Sequence, residues 1–380
     1  MGYFYEPPRH HRGHWFGYIA ASLVGVLLGA ALLLWVGPEL VMQRLEGEAG
    51  FPRFDFPQAP DWPKEVGAGA PVVHVAETLG PAVVGIVNEA VAGYDFRGRA
   101  FLERRTGSGV IISSNGYIVT NYHVIADANE ITVLLADGTT EVAEVVGSDP
   151  PVDLAVIRID RSDVPHARLG DSETLRVGEL AVAIGNPLGM DFKHSVTAGV
   201  ISGVDRILQV GEEYVRLLQT DAVINPGNSG GPLANYRGEV IGINTLKLNI
   251  PAVEGMGFAI PSDIVKRIVE DLINEGRVRR PWMGVTILDR DTIDRFRIDV
   301  DVEFTRGVLI QEVQPESPAH QAGLQPGDVI VRLDQRRIDD IAELQVALRE
   351  HRVNERVSIT VMRDEEEVTL EIELGEVPRE

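Results

Sequence analysis

The sequence predicts a mostly β protein: an all-β barrel or sandwich domain, then a small domain of strands with one clear helix, both behind an N-terminal membrane-crossing helix. Three observations carry this reading. From about Val72 to Ile260, short apolar segments alternate with Gly- and Asn-containing turns: SGVIIS, GYIVT, ITVLL, LAVIRI, LAVAIG, SVTAGVIS and GEVIGIN. After the basic run Arg277, Arg279, Arg280 and then Pro281, a second strand-rich stretch begins at Trp282, with Ile341, Leu344 and Leu348 sharing one helical face. Finally, Trp15 to Val36 is a run of 22 residues without a charged side chain.

The N-terminal run is long enough to span. At about 1.5 Å per residue, a helix of that length crosses a hydrocarbon core of roughly 30 Å. Trp15 and Trp35 stand at its ends, where amphipathic rings favour the headgroup layer. A run that is apolar all round and begins near the chain end does not read as a core helix. A cleaved signal peptide is the open rival, because Arg9 and Arg12 precede the run. Against it, the run exceeds a usual signal core, and no small-x-small site follows Val36. Arg9 and Arg12, with His10, His11 and His14, precede the span; Glu39, Glu46 and Glu48 with Arg44 follow it. The positive-inside rule puts the N-terminus in the cytoplasm and everything after Val36 on the periplasmic or extracellular face.

The chain therefore divides into a cytoplasmic segment (1–14), a transmembrane helix (15–36), a linker (37–71), a first domain (72–275) and a second domain (281–378). The linker is rich in Pro, Gly and acid and carries Phe51, Phe54, Phe56 and Trp62. It reads as a tether, with contacts between subunits as the alternative use of its aromatics. A helix closes the first domain, with Ser262 as expected N-cap, Ile264, Val265, Ile268, Val269, Leu272 and Ile273 on its apolar face, and Gly276 as its stop.

Composition excludes several functions. The 35 basic and 57 acidic residues give a net charge of −22, which repels nucleic acid. The absence of cysteine removes disulfides, thiol nucleophiles and thiolate metal sites. No metal or cofactor motif is visible in the sequence.

The chemistry gathers around three residues. Ser229 lies in GNSGGP (Gly227 to Pro232), where glycines let backbone amides turn toward a developing oxyanion. Alone, such a serine is an ordinary turn residue. His123, in TNYHVI directly after the strand GYIVT, is placed to act as a base; imidazoles generally titrate near about pH 6.5. Asp153, at the head of LAVIRI, either caps a turn, the expected role of nearby Asp149, or holds the imidazole. The other eight histidines have no comparable setting. GNSGG also fits the nucleophile elbow of α/β-hydrolases, but that fold needs a helix after the serine and the acid and histidine downstream. The order His, Asp, Ser on a β-rich background is that of trypsin-like proteases.

Together these residues resemble the HtrA family of serine proteases, also called the Deg family. The likeness runs from roughly Val72 to the C-terminus through GPAVVGI, TGSGVIIS, TNYHVI, DLAVI, AIGNPLG, QTDAVINPGNSGGPL, GINT and GFAIPSD. It implies a trypsin-like double β-barrel with the triad His123, Asp153 and Ser229 in the cleft, and oxyanion donors on Gly227, Asn228 and Ser229. By the same resemblance, Asp205 to Glu213, Asp221 to Asn228 and Leu246 to Gly255 are the loops that order or disorder the site. It also implies cleavage of unfolded or misfolded proteins after small aliphatic residues, with a single regulatory client as the alternative substrate. Val223, Ile224 and Ile243 are apolar where the specificity pocket is expected, and no acid awaits a basic side chain there.

Downstream, WMGV (Trp282 to Val285) and SPAHQAGLQPGD look like a PDZ domain, which captures a C-terminal peptide as an added strand. Trp282, Met283, Gly284 and Val285 are the expected carboxylate-binding turn, with Val285 to Leu288 as the receiving strand. The family more often has Tyr and Leu or Ile where Trp282 and Met283 stand. One span, one protease and one PDZ domain resemble the membrane-anchored, DegS-like branch, which implies a homotrimer activated by peptides from misfolded proteins. A tethered scaffold or chaperone that keeps the protease fold without its activity is the competing class.

Overall fold

In a computed structural model the described residues are 22–28, 30–31, 70–94, 99–186, 195–210, 213–245 and 255–378. Residues 22–28 and 30–31 are helical, with Leu23, Val24, Val26, Leu27 and Leu28 exposed. The rest of the Trp15–Val36 run lies outside the described residues. Among those described, no helix is long and apolar enough to cross a membrane.

The remaining described chain opens with a helix that the strand pattern conceals. Helix α1 (Pro71–Leu79) starts on a proline, whose missing N–H costs nothing in a first turn, and buries Val75 and Leu79. A closed barrel follows, made of β1 (Val83–Tyr94), β2 (Ala100–Ile111), β3 (Tyr117–Thr120), β4 (Glu130–Leu134), β5 (Thr140–Asp149) and β6 (Leu154–Ile159), in the order β1-β2-β3-β6-β5-β4. A short helix α2 (Tyr122–Ile125) sits between β3 and β4. The second barrel comprises β7 (Leu180–Gly185), β8 (Ser195–Val210), β9 (Glu213–Thr220), β10 (Pro232–Ala234), β11 (Val240–Thr245) and β12 (Gly257–Pro261), ordered β10-β11-β12-β9-β8-β7. Closure leaves neither sheet an open edge.

Each barrel has its own core, around Ile86, Ile118 and Ile157 in the first and Ile201, Leu218 and Leu233 in the second. A larger third cluster fuses them. It draws Val110, Val119 and Val156 from the first barrel, Ile184, Leu217 and Ile243 from the second, and Val265 and Leu272 from helix α3 (Ser262–Glu275). The expected N-cap at Ser262 shifts by one residue. Pro261 occupies the cap, and the Ser262 hydroxyl donates to the Gly170 carbonyl instead. Gly276 ends α3 as expected, at φ +71°.

The basic run after α3 is stapled rather than free. Arg277 and Arg279 both pair with Glu376, and Arg280 pairs with the buried Asp149. Asp149 therefore clamps the entry to the C-terminal domain instead of capping a turn. That domain contains β13 (Pro281–Trp282), β14 (Val285–Leu288), α4 (Arg290–Phe296), β15 (Val308–Val313), α5 (Pro318–Ala322), β16 (Val329–Leu333), β17 (Arg336–Arg337), α6 (Ile341–Arg349), β18 (Arg356–Arg363), β19 (Glu366–Glu373) and β20 (Gly375–Glu376). Its main sheet runs β14-β15-β16-β18-β19, so β14 is an edge strand, and β13 pairs with β20. Core residues Met283, Ile310, Leu344 and Ile359 pack beneath it.

Helix α6 docks on the second barrel. The Arg349 guanidinium donates to the Tyr214 carbonyl at 2.7 Å and pairs with Glu213, while Arg267 of α3 donates to the Glu350 carbonyl at 2.9 Å. Burial holds Arg349 below the ordinary range of a guanidinium. A cavity of about 330 Å³ lies along this seam, lined by Asp149, Val215, Ile268 and Val346 among others.

Candidate active site

Two barrels each bring part of the site. His123 stands on α2 directly after β3, and Asp153 occupies the turn before β6, so both come from the first barrel. Asp153 adopts φ +63°, a conformation an Asp tolerates better than most residues because its short side chain bonds locally. It is 1% exposed, and its carboxylate is fully engaged. Oδ1 accepts from the His123 main-chain N–H at 3.0 Å. His123 Nδ1 lies 3.0 Å from Oδ1 and 2.8 Å from Oδ2. The Thr245 hydroxyl, from β11 of the second barrel, donates to Oδ2 at 3.0 Å.

Ser229 comes from the second barrel, in the turn before β10, and its Oγ lies 3.1 Å from His123 Nε2. The turn is held from across the cleft. Ser108 of β2 donates its hydroxyl to the Gly227 carbonyl at 2.7 Å and its main-chain N–H to the Ser229 carbonyl at 2.9 Å. Gly230 has φ +82°, and a Cβ there would lie 2.3 Å from the Ser108 carbonyl oxygen, so only glycine fits. Ser229 is 2% exposed, whereas the His123 side chain is 39% exposed, which leaves the imidazole open to a ligand. This array can pass a proton from a serine hydroxyl to an imidazole while a buried carboxylate balances the charge.

The other expected site residues divide. Of the three expected oxyanion donors, the Asn228 N–H is turned to the Asn225 carbonyl at 3.1 Å, and the Gly227 N–H rests 3.3 Å from Asn225 Oδ1. The Ser229 N–H meets no acceptor among the described residues. Asn228 acts through its side chain, which donates to the Val223 carbonyl at 2.9 Å and accepts from the Asn225 N–H at 3.0 Å. Val223, Ile224 and Ile243 have different surroundings. Val223 is 58% exposed and Ile243 wholly buried in the cluster that joins the barrels. Ile224 packs over Gly257, where a Cβ would lie 2.5 Å from its Cγ1. For Ile243, strand alternation in β11 and a fused core, invisible to a motif, decide the direction. Of the expected regulatory loops, Asp205 to Val210 continue β8 and Asp221 to Asn228 are described; residues 211–212 and 246–254 lie outside the described residues.

In the C-terminal domain, Met283 and Gly284 link Trp282, the end of β13, to Val285, the start of edge strand β14. Gly284 has φ +82°, and a Cβ there would meet Ser317 Cβ at 2.3 Å. Met283 is buried in the core, and its carbonyl accepts from Ala319 N–H at 2.9 Å, so Met283 supports the turn from below. The Ile341 N–H at the start of α6 is tied to Asp289 at the end of β14 by a 3.3 Å bond, so the helix flanks the strand. Partly buried Val285, Ile287, Ile341 and Leu348 belong to these two elements. Among the described residues, no three His, Asp or Glu side chains are grouped to hold a metal ion.

Comparisons with known proteins decide the family. Residues 107–243 match the trypsin-like peptidase domain, and residues 281–374 match the PDZ domain. The chain is 41% identical over 326 residues to the serine protease Do-like HtrA of Bacillus subtilis (strain 168), covering 80% of this chain and 73% of that protein. The chain belongs to the HtrA family of serine proteases. It is a serine endopeptidase carrying one PDZ domain. It is also 38% identical over 375 residues to the serine protease Do-like HtrB of the same organism, covering 92% of this chain and 81% of that protein. A probable periplasmic serine endoprotease, DegP-like, of Hahella chejuensis is 42% identical over 276 residues, 72% of this chain and 57% of that protein. Among solved structures, the HtrA-type protease AlgW with decapeptide superposes with a TM-score of 0.64 at 34% identity, covering 81% of this chain and 99% of that one. The serine endoprotease from Yersinia pestis gives 0.58 at 34% identity, covering 81% and 98%.

Neither Asn121 nor Thr245, the two residues that complete this HtrA site, stands out from its sequence context. Asn121 lies inside TNYHVI and Thr245 closes GINT. Both are buried polar residues at strand ends, a pattern that becomes informative only once the barrels are closed.

Proposed function

We propose that this HtrA protease is membrane-anchored and extracytoplasmic, and cleaves unfolded or misfolded proteins through Ser229, His123 and Asp153. Substrate carbonyl carbon is attacked by Ser229 Oγ as His123 takes the hydroxyl proton; His123 then returns it to the leaving amine, and water releases the acyl group. The Ser229 N–H holds the oxyanion, joined by the Gly227 N–H when it leaves Asn225. The single observation that carries this reading is the continuous chain from Ser229 Oγ to His123 Nε2 at 3.1 Å and from Nδ1 to Asp153 Oδ2 at 2.8 Å.

The PDZ domain receives C-terminal peptides as an added strand between β14 and α6. What supports this is the unpaired edge of β14 and its partly apolar flank. Because α6 is docked on β9 through Arg349, a peptide beside it can bias the protease through unequal affinity for two arrangements of that contact. Support for the anchor comes from the apolar run Trp15 to Val36. An extracytoplasmic site agrees with relatives named periplasmic. A homotrimer, gathered through the aromatic linker, completes the proposal.

The test uses the full chain in detergent and its Ser229→Ala twin, with casein and peptides of hydrophobic C-terminus. Degradation lost in the twin alone, and accelerated by peptide, is the expected result. Degradation that persists in the twin would remove Ser229 from the mechanism, and a rate indifferent to every peptide would remove the switch.

A further inference from the structure

The nucleophile's single hydrogen has two acceptors within reach. Ser229 Oγ lies 2.9 Å from Asn121 Oδ1 and 3.1 Å from His123 Nε2. The orientation of the Asn121 carboxamide is fixed by its other end. Its nitrogen sits 2.9 Å from the Asp153 main-chain carbonyl, which only accepts, so Nδ2 belongs there and Oδ1 faces Ser229. Asn121 is wholly buried, which removes water as an alternative partner.

The imidazole is constrained in the same way. Nδ1 faces both oxygens of the Asp153 carboxylate, so it carries a hydrogen. In a neutral ring Nε2 is then bare, and Asn121 and His123 compete for the Ser229 hydrogen. In a protonated ring Nε2–H donates to Ser229 Oγ, whose own hydrogen goes to Asn121, and every group is satisfied. Asp153, from the turn before β6, is the charged group that contacts the ring among the described residues. Ser229 and, one bond further on, Thr245 of β11 are neutral neighbours.

We propose that Asn121 is a positioning residue that sets the protonation balance of the catalytic pair. By accepting from Ser229 it stabilises the resting enzyme in which His123 is charged, and it draws the hydroxyl hydrogen away from the base. Attack on substrate requires that hydrogen to swing from Asn121 to His123. The proposal rests on the reading of Ser229 and His123 as nucleophile and base. Removing the acceptor destabilises the charged ring, so the acid limb of the free enzyme's pH profile falls. A hydrogen bond of ordinary net strength corresponds to about 0.5–1 pH unit. A carboxylate at the same place stabilises the charged ring further and moves the limb upward. A merely structural role, holding the Asp153 carbonyl, is lost in both variants alike and lowers the rate without opposite movements.

The experiment follows inactivation of the full chain by diisopropyl fluorophosphate from about pH 5 to pH 9, a range that brackets an ordinary imidazole. In that reaction the Ser229 Oγ–phosphorus bond forms as the phosphorus–fluorine bond breaks, fluoride leaves, and His123 takes the hydroxyl proton. The expected result is an acid limb lower in Asn121→Ala and higher in Asn121→Asp than in the parent. Asn121→Ser, too short to reach Ser229, replaces Asn121→Ala if that variant does not fold, with the same expected direction. A limb that stays put, or moves the same way in both variants, overturns the role of Asn121. Failure of the underlying reading looks different: peptide mapping of the parent then finds no phosphoryl group on Ser229.

Discussion

Replacing Arg280 by methionine tests how the two domains are held together. Asp149 ends β5 at 2% exposure; its Oδ1 accepts from Arg280, and its Oδ2 has no hydrogen-bond partner among the described residues. Arg280→Met removes the cation that compensates a buried charge. Breaking such a pair from one side costs about 3–5 kcal/mol, because the remaining ion is neither hydrated nor bonded. Asp149 also feels the field of Arg349, which the substitution leaves in place. The lower end, about 3 kcal/mol, is therefore expected. Asp149→Val with Arg280→Met removes both charges and should recover most of that loss, giving a coupling of roughly 2–3 kcal/mol. Urea unfolding, read by tryptophan fluorescence in a Ser229→Ala background that prevents self-cleavage, measures all four corners of the cycle. Trp282 lies two residues from the substituted position and reports locally. A cost under about 1 kcal/mol for Arg280→Met, with no recovery in the double variant, would put the pair among weak surface bridges and refute the reasoning.

Gly230→Ala should reduce kcat/KM about 100-fold or more, because its Cβ would overlap the Ser108 carbonyl and the Thr120 hydroxyl and displace the adjacent Ser229 by roughly an ångström. A burst titration with kcat/KM checks this, and a loss under about threefold would mean the turn is softer than its φ implies. Asp289 gives a pH-dependent case. Burial pushes its carboxyl upward, but hydrogen bonds from Thr292 and from the Ile341 N–H outweigh that and hold it below its ordinary range. A depressed folded value means stability is present above about pH 4 and is lost as pH falls through the folded value. Asp289→Ala should therefore lower the melting temperature of the PDZ domain at neutral pH, a cap loss of about 1 kcal/mol, with the difference closing as pH falls below the ordinary carboxylate range. A gap that stays constant with pH would show that the carboxylate's charge is not what matters.

The strand-rich class, the trypsin-like and PDZ parts and the grouping of His123, Asp153 and Ser229 were legible in the sequence because each leaves a local mark: apolar runs between turns, glycines around Ser229, an Asp at the head of LAVIRI. The marks that misled were also local. Helix α1 was missed because only Val75 and Leu79 of its nine residues are buried, too few for a helical period to declare itself. The Ser262 hydroxyl looked like a cap, but a carbonyl from the distant Gly170 competes for it and wins. Nor does the motif around Ile243 reveal its burial, which depends on the cluster the closed barrel turns it into. Asp149 and Asp153 stand four residues apart in similar sequence settings. One holds the His123 imidazole and the other an arginine 131 residues away, and only the fold tells them apart.

The site sits where hydrophobic packing gives way to a buried polar seam. Ser108, Thr120, Asn121, Asn228 and Asn244 are all wholly buried; Ser108 and Asn121 bond across to the turn that carries Ser229, while Thr120, Asn228 and Asn244 bond within their own barrel. Burying a polar group costs more than it returns unless its partner is in place, so such a seam stabilises only one relative placement of the barrels. That placement is the one that brings Ser229 from the second barrel to His123 from the first. Apolar residues along the same line would bind the barrels with greater latitude, since packing tolerates small slips that hydrogen bonds do not. The seam is therefore better understood as fixing the 3.1 Å contact between the two halves of the site than as adding to overall stability.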